Sequence, residues 1–489
     1  MGALLFPLFG QTVFALRFGV LLLFICFLIS MYLLTSLLYT RKLALLTLIV
    51  LSLGSGELLF RSYAAFAGHA ETPLFGALLI LVASKLALSA PVSMRVPARF
   101  WRLFGYGCWG ALVGGAFWND PLTLPFIFTS SLFLLIFCRH EFRVSIVMSI
   151  FVGLMIGLFP VIIYNLTLSD IAQSSLSAFG FLVNSDHPVA SDTILARFAA
   201  TFLVTLPVST GAVPLCAMNP YSAWPLGVQS SPQVIQCSAI HGIWALGLVV
   251  LWLTGIGMAA RRLRALWRFR TAAYEERRDT VIEGARLMLL GSALLTFLSF
   301  AVSVQAITGP WSHHRYLIAL AVATPAVLWP LWRMASSRSL RPGLQAISIK
   351  GLCVGLLVVY VATMALGTVQ VTGQIPQAEA AFQSQEVLFS TLSAQHLTRI
   401  YTDYWTCDLV AFLSQEQVIC SVLDDQLHPG FNRYQPYMSV VAHSPHVAYV
   451  FPRQSAQNKR FVLLMGSKGS VLHYRMMSIG DYVMYQEES

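Results

Sequence analysis

Residues 145–165 read SIVMSIFVGLMIGLFPVIIYN and contain no charged side chain. A helix of this length spans the hydrocarbon core of a bilayer, which is about 30 Å thick, because each helical residue rises about 1.5 Å. The rest of the chain has a similar character. Of its 489 residues, 57% are hydrophobic and only 11% are charged, whereas soluble domains carry about 25% charge. The sequence therefore predicts an integral membrane protein and excludes a soluble or disordered chain.

Further runs of the same kind extend along most of the chain, and together they predict about ten transmembrane helices. The predicted spans are 18–38, 43–60, 73–90, 103–118, 121–138, 145–165, 238–258, 287–307, 316–333 and 351–370. We therefore expect an α-helical polytopic membrane domain over residues 1–370. The first run lacks the basic segment that precedes a cleaved signal sequence.

Lys and Arg residues are distributed unevenly between the two sides of these spans. On one side, the basic residues lie at 41–42, 95–102, 139–143, 261–286 and 333–350. Segments on the other side, up to the last span, contain only Arg17, Arg61, Arg197 and Arg315. The positive-inside rule places the first set in the cytoplasm. The net charge of +10 is thus a signal of orientation in a cell (plasma) membrane, and no nucleic-acid partner is predicted.

Two long loops and a tail interrupt the hydrophobic pattern. Loop 166–237 is external in this topology, and its stretch 194–208 is predicted to form a helix along the membrane surface. Loop 259–286 is cytoplasmic in this topology, and its residue pattern has helical periodicity. We interpret it as a basic helix that anchors the protein at the membrane, with binding to anionic lipid as the alternative. The tail, 371–489, is predicted to be an extracytoplasmic α/β domain.

Within that tail, alternating and helical patterns predict seven elements. Helices are expected at 377–395 and 407–413, and strands at 397–401, 418–422, 447–451, 461–464 and 482–485.

Four of the eight cysteines lie in segments predicted to be external. An oxidising exterior permits disulfides there, and Cys216 is a candidate partner for Cys237, as Cys407 is for Cys420. Free buried cysteine is the alternative for each.

Two external carboxylates are candidates for chemistry, since ionisable groups beside a bilayer are costly to keep. Glu71 precedes a predicted helix, where it could act as a base or simply favour the positive end of the helix dipole. Asp120, within AFWNDPLTLPF, also fits a plain turn between two helices.

The segment WSHHRYLIAL groups three potential cations, His313, His314 and Arg315, at the start of a predicted helix. The planar fork of arginine suits a phosphate group. The alternative is an interfacial anchor, with Trp311 and Tyr316 at the level of the headgroups. No third ligand accompanies the adjacent histidines, so no metal site is predicted.

These segments together resemble the polyprenyl-phosphate-dependent membrane glycosyltransferases of the GT-C class, which include protein O-mannosyltransferases and aminoarabinose transferases. The resemblance rests on LLFPLFGQTVFALRFGVLLLF, GHAETPLFGALLIL, GGAFWNDPLTLPFI, GLFPVIIYNL and HHRYLIAL, in that order. Members of the class normally begin with one more helix and a loop bearing an acidic pair, so the sequence resembles a member that lacks this first helix and acidic loop.

The resemblance implies a donor sugar on a polyprenyl phosphate and an inverting transfer to an acceptor at the extracytoplasmic face. A carboxylate must then take the acceptor's proton and cations must stabilise the leaving phosphate. Glu71 and, second, Asp120 are the implied bases, and Arg315, His314 and His313 the implied phosphate ligands. The need for a divalent cation and the identity of the acceptor stay open.

Acceptor recognition is a further hypothesis for IYTDYW in the tail, where Tyr401, Asp403, Tyr404 and Trp405 follow one another closely. Aromatic faces beside an acid suit a sugar ring, although the same aromatics also suit core packing. For the whole chain, two alternatives to an enzyme remain: a catalytically silent membrane partner, or a transporter of a lipid-linked substrate.

Overall fold

The computed structural model describes residues 2–63, 70–89, 96–167, 193–216, 231–268, 274–337, 344–467 and 474–487. Parts of the predicted loops 166–237 and 259–286 therefore lie outside the described residues. The chain forms two compact units. The helical unit comprises Arg17–Tyr164 and Asp186–Val371, and the mixed unit comprises Met1–Leu16, Asn165–Ser185 and Thr372–Ser489. The last boundary lies close to the predicted one, whereas residues 1–16 cluster with the tail.

The first half of the chain is helical. Its helices are α1 (Gly2–Phe9), α2 (Val13–Leu38), α3 (Arg41–Leu53), α4 (Gly56–Tyr63), α5 (Glu71–Leu88), α6 (Val96–Asn119), α7 (Leu124–Phe137) and α8 (Val144–Thr167). Short 3₁₀ helices lie at Pro121–Thr123 and Arg139–Glu141.

The helices continue beyond residue 193. They are α9 (Ile194–Ala200), α10 (Leu206–Thr210), α11 (Pro232–Arg268), α12 (Tyr274–Ala301), α13 (Gln305–Thr308), α14 (Thr324–Ser336) and α15 (Leu344–Gly373). A π-helical turn, Thr201–Thr205, joins α9 to α10, and a long 3₁₀ helix, Ser312–Ala323, leads directly into α14.

Helical backbone covers most of each predicted span. Among the described residues, seven helices are long and apolar enough to cross a membrane: Val13–Leu38, Glu71–Leu88, Val144–Thr167, Pro232–Trp267, Glu275–Ala301, Ser312–Ser336 and Ile347–Ala394. These helices are those of a multi-pass membrane protein. The total of ten spans stays a prediction.

Helix α5 is central in the helical unit, whereas α8 is peripheral. Two-thirds (67%) of the apolar window of α5 is buried, against 11% for α8. Helix α8 nevertheless contacts α6 closely, since a Cβ atom added at Gly153 would lie 2.0 Å from the carbonyl oxygen of Gly107. Small residues that let two backbones approach in this way are typical of membrane helices.

The predicted span 43–60 is broken in the structure, between α3 and α4. Gly54 ends α3 with a φ of +63°, a conformation that glycine adopts without steric cost. The Ser55 hydroxyl then accepts a hydrogen bond from the Leu58 amide (3.1 Å) and starts α4. The break sets Glu57 in the first turn of α4.

The predicted surface helix at 194–208 forms as α9, the π-helical turn and α10, but its second half is buried. Leu206 belongs to a core cluster with Ala245 and Leu317, and the Thr205 hydroxyl donates to the carbonyl oxygen of Pro310 (3.0 Å). The segment therefore packs within the helical unit and supports the start of the long 3₁₀ helix.

The mixed unit contains a five-stranded sheet. Its elements are α16 (Ile375–Ala394), β1 (Arg399–Thr402), α17 (Tyr404–Leu413), β2 (Ile419–Val422), α18 (Pro436–Ala442), β3 (Ala448–Pro452), α19 (Ala456–Ser467), β4 (Tyr474–Ile479) and β5 (Tyr482–Glu487). The strand order is β2-β1-β3-β5-β4. Strands β2, β1 and β3 are parallel, and β5 is antiparallel to both β3 and β4.

One predicted strand of the tail was wrong. Residues 461–464 lie in α19. Phe461 alone of this apolar run is buried, whereas Leu463 is exposed. This burial pattern is helical rather than alternating. The Ser455 hydroxyl caps α19 by accepting from the Asn458 amide (3.1 Å). Strand β4 was not predicted at all.

Candidate functional site

Five ionisable residues of the helical unit lie on elements that pack against or belong to the long 3₁₀ helix, Ser312–Ala323. We call them the polar cluster: Glu57, Glu71, Asp120, His314 and Arg315. Helices α4 and α5 and the short 3₁₀ helix Pro121–Thr123 each contact the long 3₁₀ helix. The tertiary fold thus brings together the elements that carry these residues, and within the set Glu57 pairs with His314 and Glu71 lies near Asp120.

Asp120 is held by two hydrogen bonds. Its Oδ1 accepts from the Leu122 amide (2.9 Å), which starts the short 3₁₀ helix, and its Oδ2 accepts from the Thr72 hydroxyl (3.1 Å) in the first turn of α5. The predicted turn role is therefore present, together with a link to α5. Burial raises the pKa of the Asp120 carboxyl above its usual range, and the negative charge of Glu71 raises it further.

Glu71 lies beside this pair, in the first turn of α5. Its Oε2 is buried, and no group among the described residues donates a hydrogen bond to it. A buried acceptor without a partner is costly, and the charge of Asp120 is nearby. Of the two carboxylates, Glu71 has the free capacity to accept a proton from another molecule.

His314 is buried and contacts an acceptor on each side of its ring. Its Nδ1 is within hydrogen-bond distance of the carbonyl oxygen of Trp311, and its Nε2 lies 2.7 Å from Oε2 of Glu57 in an ion-pair geometry. Both ring nitrogens therefore face oxygen atoms of the protein. No signal in the sequence indicated the pairing of Glu57 with His314.

Arg315 has few protein contacts for a half-buried arginine. Its Nη2 donates to the hydroxyl of Tyr316 (3.2 Å), and its guanidinium lies 5.1 Å from the centre of that ring. Its Nε is buried without an acceptor, and in the part of the chain that the structure describes no carboxylate pairs with it. His313, next to it, contacts the carbonyl oxygen of Gln305 (2.9 Å) and the ring of Tyr316.

Arg102 provides a contrast within the same unit. Its Nε and Nη2 contact both carboxylate oxygens of Glu141 (2.6 and 2.7 Å), and its Nη1 donates to the Ser89 hydroxyl (2.9 Å). Tyr106 donates to the same carboxylate (3.2 Å). A bidentate pair of this kind uses the hydrogen-bonding capacity of the guanidinium, so Arg102 has a structural role.

Backbone geometry connects the polar cluster to an apolar cavity. In a 3₁₀ helix residues three apart are eclipsed, so His314, Leu317, Leu320 and Ala323 form one row. Leu320 and Ala323 line a cavity whose other walls include Leu206, Trp252 and Tyr360. The row therefore extends from the buried imidazole to the cavity.

The four residues predicted for acceptor binding do not form one group: Tyr401 and Tyr404 pack in different clusters of the mixed unit. Tyr401 stacks on Tyr449 with ring centroids 5.1 Å apart, in an aromatic cluster on one face. Asp403 caps α17 by accepting from the Trp405 amide (3.0 Å) and the Thr406 amide (3.2 Å). These contacts give Tyr401 and Asp403 structural roles.

Tyr404 and Trp405 lie at the start of α17 and have a polar neighbour that the sequence did not indicate. Their rings are 4.9 Å apart in an edge-to-face arrangement, and Trp405 is 54% exposed. Arg433 donates from Nε to the Tyr404 hydroxyl (2.5 Å) and lies 3.6 Å from Oδ2 of Asp408. Burial raises the pKa of Asp408 and the charge of Arg433 opposes this shift.

The structure contains two disulfides among the described residues. Cys216 is bonded to Cys237, with Cα atoms 5.4 Å apart, and Cys407 is bonded to Cys420, with Cα atoms 5.5 Å apart. The first joins the segment after α10 to α11, and the second joins α17 to β2. No group of three or more His, Cys, Asp or Glu residues that could hold a metal ion occurs in the described ranges.

Comparisons with known proteins identify a similar fold. No protein-family model and no curated protein matches the chain. ArnT from Cupriavidus metallidurans bound to undecaprenyl phosphate superposes with a TM-score of 0.52 at 12% identity, over 99% of this chain and 86% of that one. ArnT in the apo state gives a TM-score of 0.51 with the same identity and coverage.

The oligosaccharyltransferase of Archaeoglobus fulgidus is also similar, with a TM-score of 0.48 at 13% identity over 90% of this chain. The match spans 59% of the length of that protein. At such identities the likeness is one of fold. The fold shared with ArnT agrees with the fold that the resemblance led us to expect.

Proposed function

We propose that the chain is a membrane glycosyltransferase that moves a sugar from a polyprenyl-phosphate donor to an acceptor with inversion at the anomeric carbon. The observation that carries this proposal is Arg315, a guanidinium with a buried, unpartnered Nε in a cluster that contains three carboxylates. An internal ion pair would have used these charges for folding. A phosphate-bearing ligand explains why the cation has no carboxylate partner.

In this proposal Arg315 binds the phosphate of the donor, beside His314, whose ring nitrogens face Trp311 and Glu57. Arg315 supplies the donors that the protein does not use, and Glu57 orients His314 through the contact at Nε2. As the bond between the anomeric carbon and the phosphate oxygen breaks, the electron pair moves to the leaving polyprenyl phosphate. Cations fixed before the reaction stabilise the charge that develops there.

Glu71 is the proposed base. The acceptor's hydroxyl or amine attacks the anomeric carbon from the face opposite the phosphate, and its proton moves to the Glu71 carboxylate. Asp120 is the second candidate, but both of its oxygens already accept hydrogen bonds from the protein. We therefore assign Asp120 to holding the start of α5 in place.

The apolar cavity beside Leu320 and Ala323 is the proposed site for the first isoprene units of the donor. It lies along the same row of the 3₁₀ helix as His314, so a lipid phosphate bound beside the imidazole would extend its chain toward apolar side chains. Trp252 and Tyr360 provide the flat walls of this cavity.

Acceptor recognition is proposed for Tyr404 and Trp405 of the mixed unit, with Arg433 as a third member. The positive-inside rule, applied to the basic loops, supports an extracytoplasmic position for the polar cluster and for the mixed unit in a plasma-membrane protein. A divalent cation is not required by this mechanism, and the sugar is not specified by it.

The test is turnover by the purified full chain in lipid nanodiscs with labelled undecaprenyl-phosphate sugars. Heat-treated cell-envelope extract supplies the acceptor, and release of undecaprenyl phosphate is the readout, since it does not require the acceptor to be identified. We expect Arg315→Gln to lower the rate by about 10²- to 10³-fold, the cost of removing one transition-state donor, and Glu71→Gln to lower it at least as much. Arg143→Gln, an exposed arginine outside the cluster, is the matched control.

The same assay separates the alternatives. A transporter would move the labelled lipid across the bilayer without breaking the bond to phosphate. A silent partner would retain the lipid without turnover. Full activity of both the Arg315 and Glu71 variants would contradict the site assignment.

A further inference from the structure

A second group of arginines lines a small cleft near the C-terminal end of the helical segment Ser312–Ser336, whose first turn carries His314 and Arg315. Arg262 of α11, Arg286 of α12 and Arg333 of α14 surround it, together with Glu283, Tyr39 and Trp329. Arg333 follows Arg315 along the continuous helical segment Ser312–Ser336, and the rises of the two helix types put them about 30 Å apart. The cleft is therefore a separate site.

Arg286 is fixed by the protein. Its Nη1 contacts Oε1 of Glu283 (2.7 Å), its Nε donates to the carbonyl oxygen of Leu38 (2.9 Å), and its guanidinium lies over the rings of Tyr39 and Trp329 (4.6 and 5.2 Å). Glu283 is buried, with 3% of its surface exposed. This pair forms a rigid wall.

Arg262 and Arg333 keep most of their donors. Arg262 shares Oε1 of Glu283 through Nη1 (3.1 Å) and makes no second polar contact with the residues that the structure describes. Arg333 has no side-chain hydrogen bond or ion pair in the part of the chain that the structure describes. Three guanidinium groups face one carboxylate, so the cleft holds an uncompensated positive charge and two sets of free N–H groups.

We propose that this cleft binds a phosphate group. Guanidinium forks match phosphate oxygens in bidentate geometry, whereas one carboxylate cannot neutralise three arginines. The cleft lies between helices where their apolar runs end, and basic pockets at that level bind phosphate headgroups of anionic lipids. Free phosphate anions present the same oxygens. The ligand is therefore a phosphate group with free oxygens, carried by a lipid headgroup or present as an anion in solution.

The test measures thermal stability of the purified full chain, since a ligand that binds the folded state raises the melting temperature. One arm adds inorganic phosphate to nanodiscs of phosphatidylcholine. The other compares phosphatidylcholine nanodiscs with nanodiscs that contain phosphatidylglycerol. We expect Arg333→Gln to weaken binding about tenfold or more, the effect of one charge-assisted hydrogen bond.

Arg333→Gln is the decisive variant because, within the described ranges, the Arg333 side chain contacts no polar group, so we expect its loss to leave folding intact. Arg264→Gln removes an exposed arginine of α11 that does not line the cleft and should bind normally. A shift in the first arm that Arg333→Gln reduces identifies free phosphate, and a shift in the second arm alone that Arg333→Gln reduces identifies lipid; a shift that Arg333→Gln leaves unchanged would overturn the proposal. No shift in either arm, or an equal loss in Arg264→Gln, would overturn the proposal.

Discussion

Arg102 and Arg315 both belong to the helical unit, yet the protein uses their guanidinium groups in opposite ways. Arg102 is 7% exposed and donates to Glu141 and Ser89 from all three of its nitrogens. Among the described residues Arg315 makes one hydrogen bond, to the residue next to it in sequence. The first arginine is saturated by the fold, and the second keeps its capacity for another molecule. Saturation of donors, more than burial, distinguishes a structural arginine from a candidate binding residue.

The largest expected effect comes from breaking the saturated pair. Arg102→Gln leaves the Glu141 carboxylate poorly exposed and without its counter-ion, and we expect a loss of about 3–5 kcal/mol in the free energy of unfolding. Denaturant unfolding of the purified protein measures it. The double variant Arg102→Gln with Glu141→Gln should recover much of the loss. If it does not, the pair is not the source of the stability.

A change from arginine to lysine at position 315 tests geometry apart from charge. Lysine keeps the positive charge but presents no planar fork, so we expect turnover to fall by about tenfold to a hundredfold, less than in Arg315→Gln. Measuring both variants at saturating and at low donor concentration distinguishes binding from catalysis. Equal rates for wild type and Arg315→Lys would mean that charge alone is needed.

Thr72→Val probes the hydrogen bond between α5 and Asp120. It removes a donor to a buried carboxylate, and we expect a loss of about 1–3 kcal/mol. Thr72→Ser, which keeps the hydroxyl, is the control. Equal stability of the valine and serine variants in thermal unfolding would show that this hydrogen bond contributes nothing.

The pH dependence of stability should report Asp120. Folding raises the pKa of this carboxyl above its ordinary value of 3.8, so the folded state binds the proton more tightly than the unfolded state. The resulting stability is complete below pH 3.8 and is lost as the pH rises through the raised pKa. Asp120→Asn should flatten this part of the curve of melting temperature against pH.

Glu71→Gln should reduce the same slope in part, because the charge of Glu71 contributes to the raised pKa. A curve that keeps its shape in Asp120→Asn would assign the titration to another group.

The smallest effect is expected for Arg315→Gln on folding. The substitution removes one hydrogen bond and one cation–π contact, each with Tyr316, so the free energy of unfolding should change by about 1 kcal/mol or less. The same unfolding assay used for Arg102 measures it. A loss as large as that of Arg102→Gln would erase the difference between the two arginines.

The sequence was informative about the helices because a spanning helix is recognised from local hydrophobicity alone. The sequence was less informative where a single residue ends a helix and redirects the chain. The break at Gly54 was visible only as the short GSG motif, and it redirects Glu57 toward a histidine 257 positions later. Such a contact depends on tertiary packing, which no local pattern encodes.

The tail shows both kinds of error. Residues 461–464 were read as a strand from hydrophobicity, although four apolar residues fit either period. Strand β4 was missed although Gly480 and Asp481 form the two-residue turn between Ile479 and Tyr482, a recognised hairpin signal. Attention to that turn would have identified both strands of the hairpin.

The winding of Ser312–Ala323 has a geometric consequence for the proposed donor. On an α-helix a stripe of neighbouring side chains drifts around the axis, because 3.6 residues do not divide evenly into whole turns. At three residues per turn the stripe becomes a straight edge parallel to the axis. A linear isoprenoid in the cavity would meet Leu320 and Ala323 along one straight edge, whereas a regular α-helix would force it to curve.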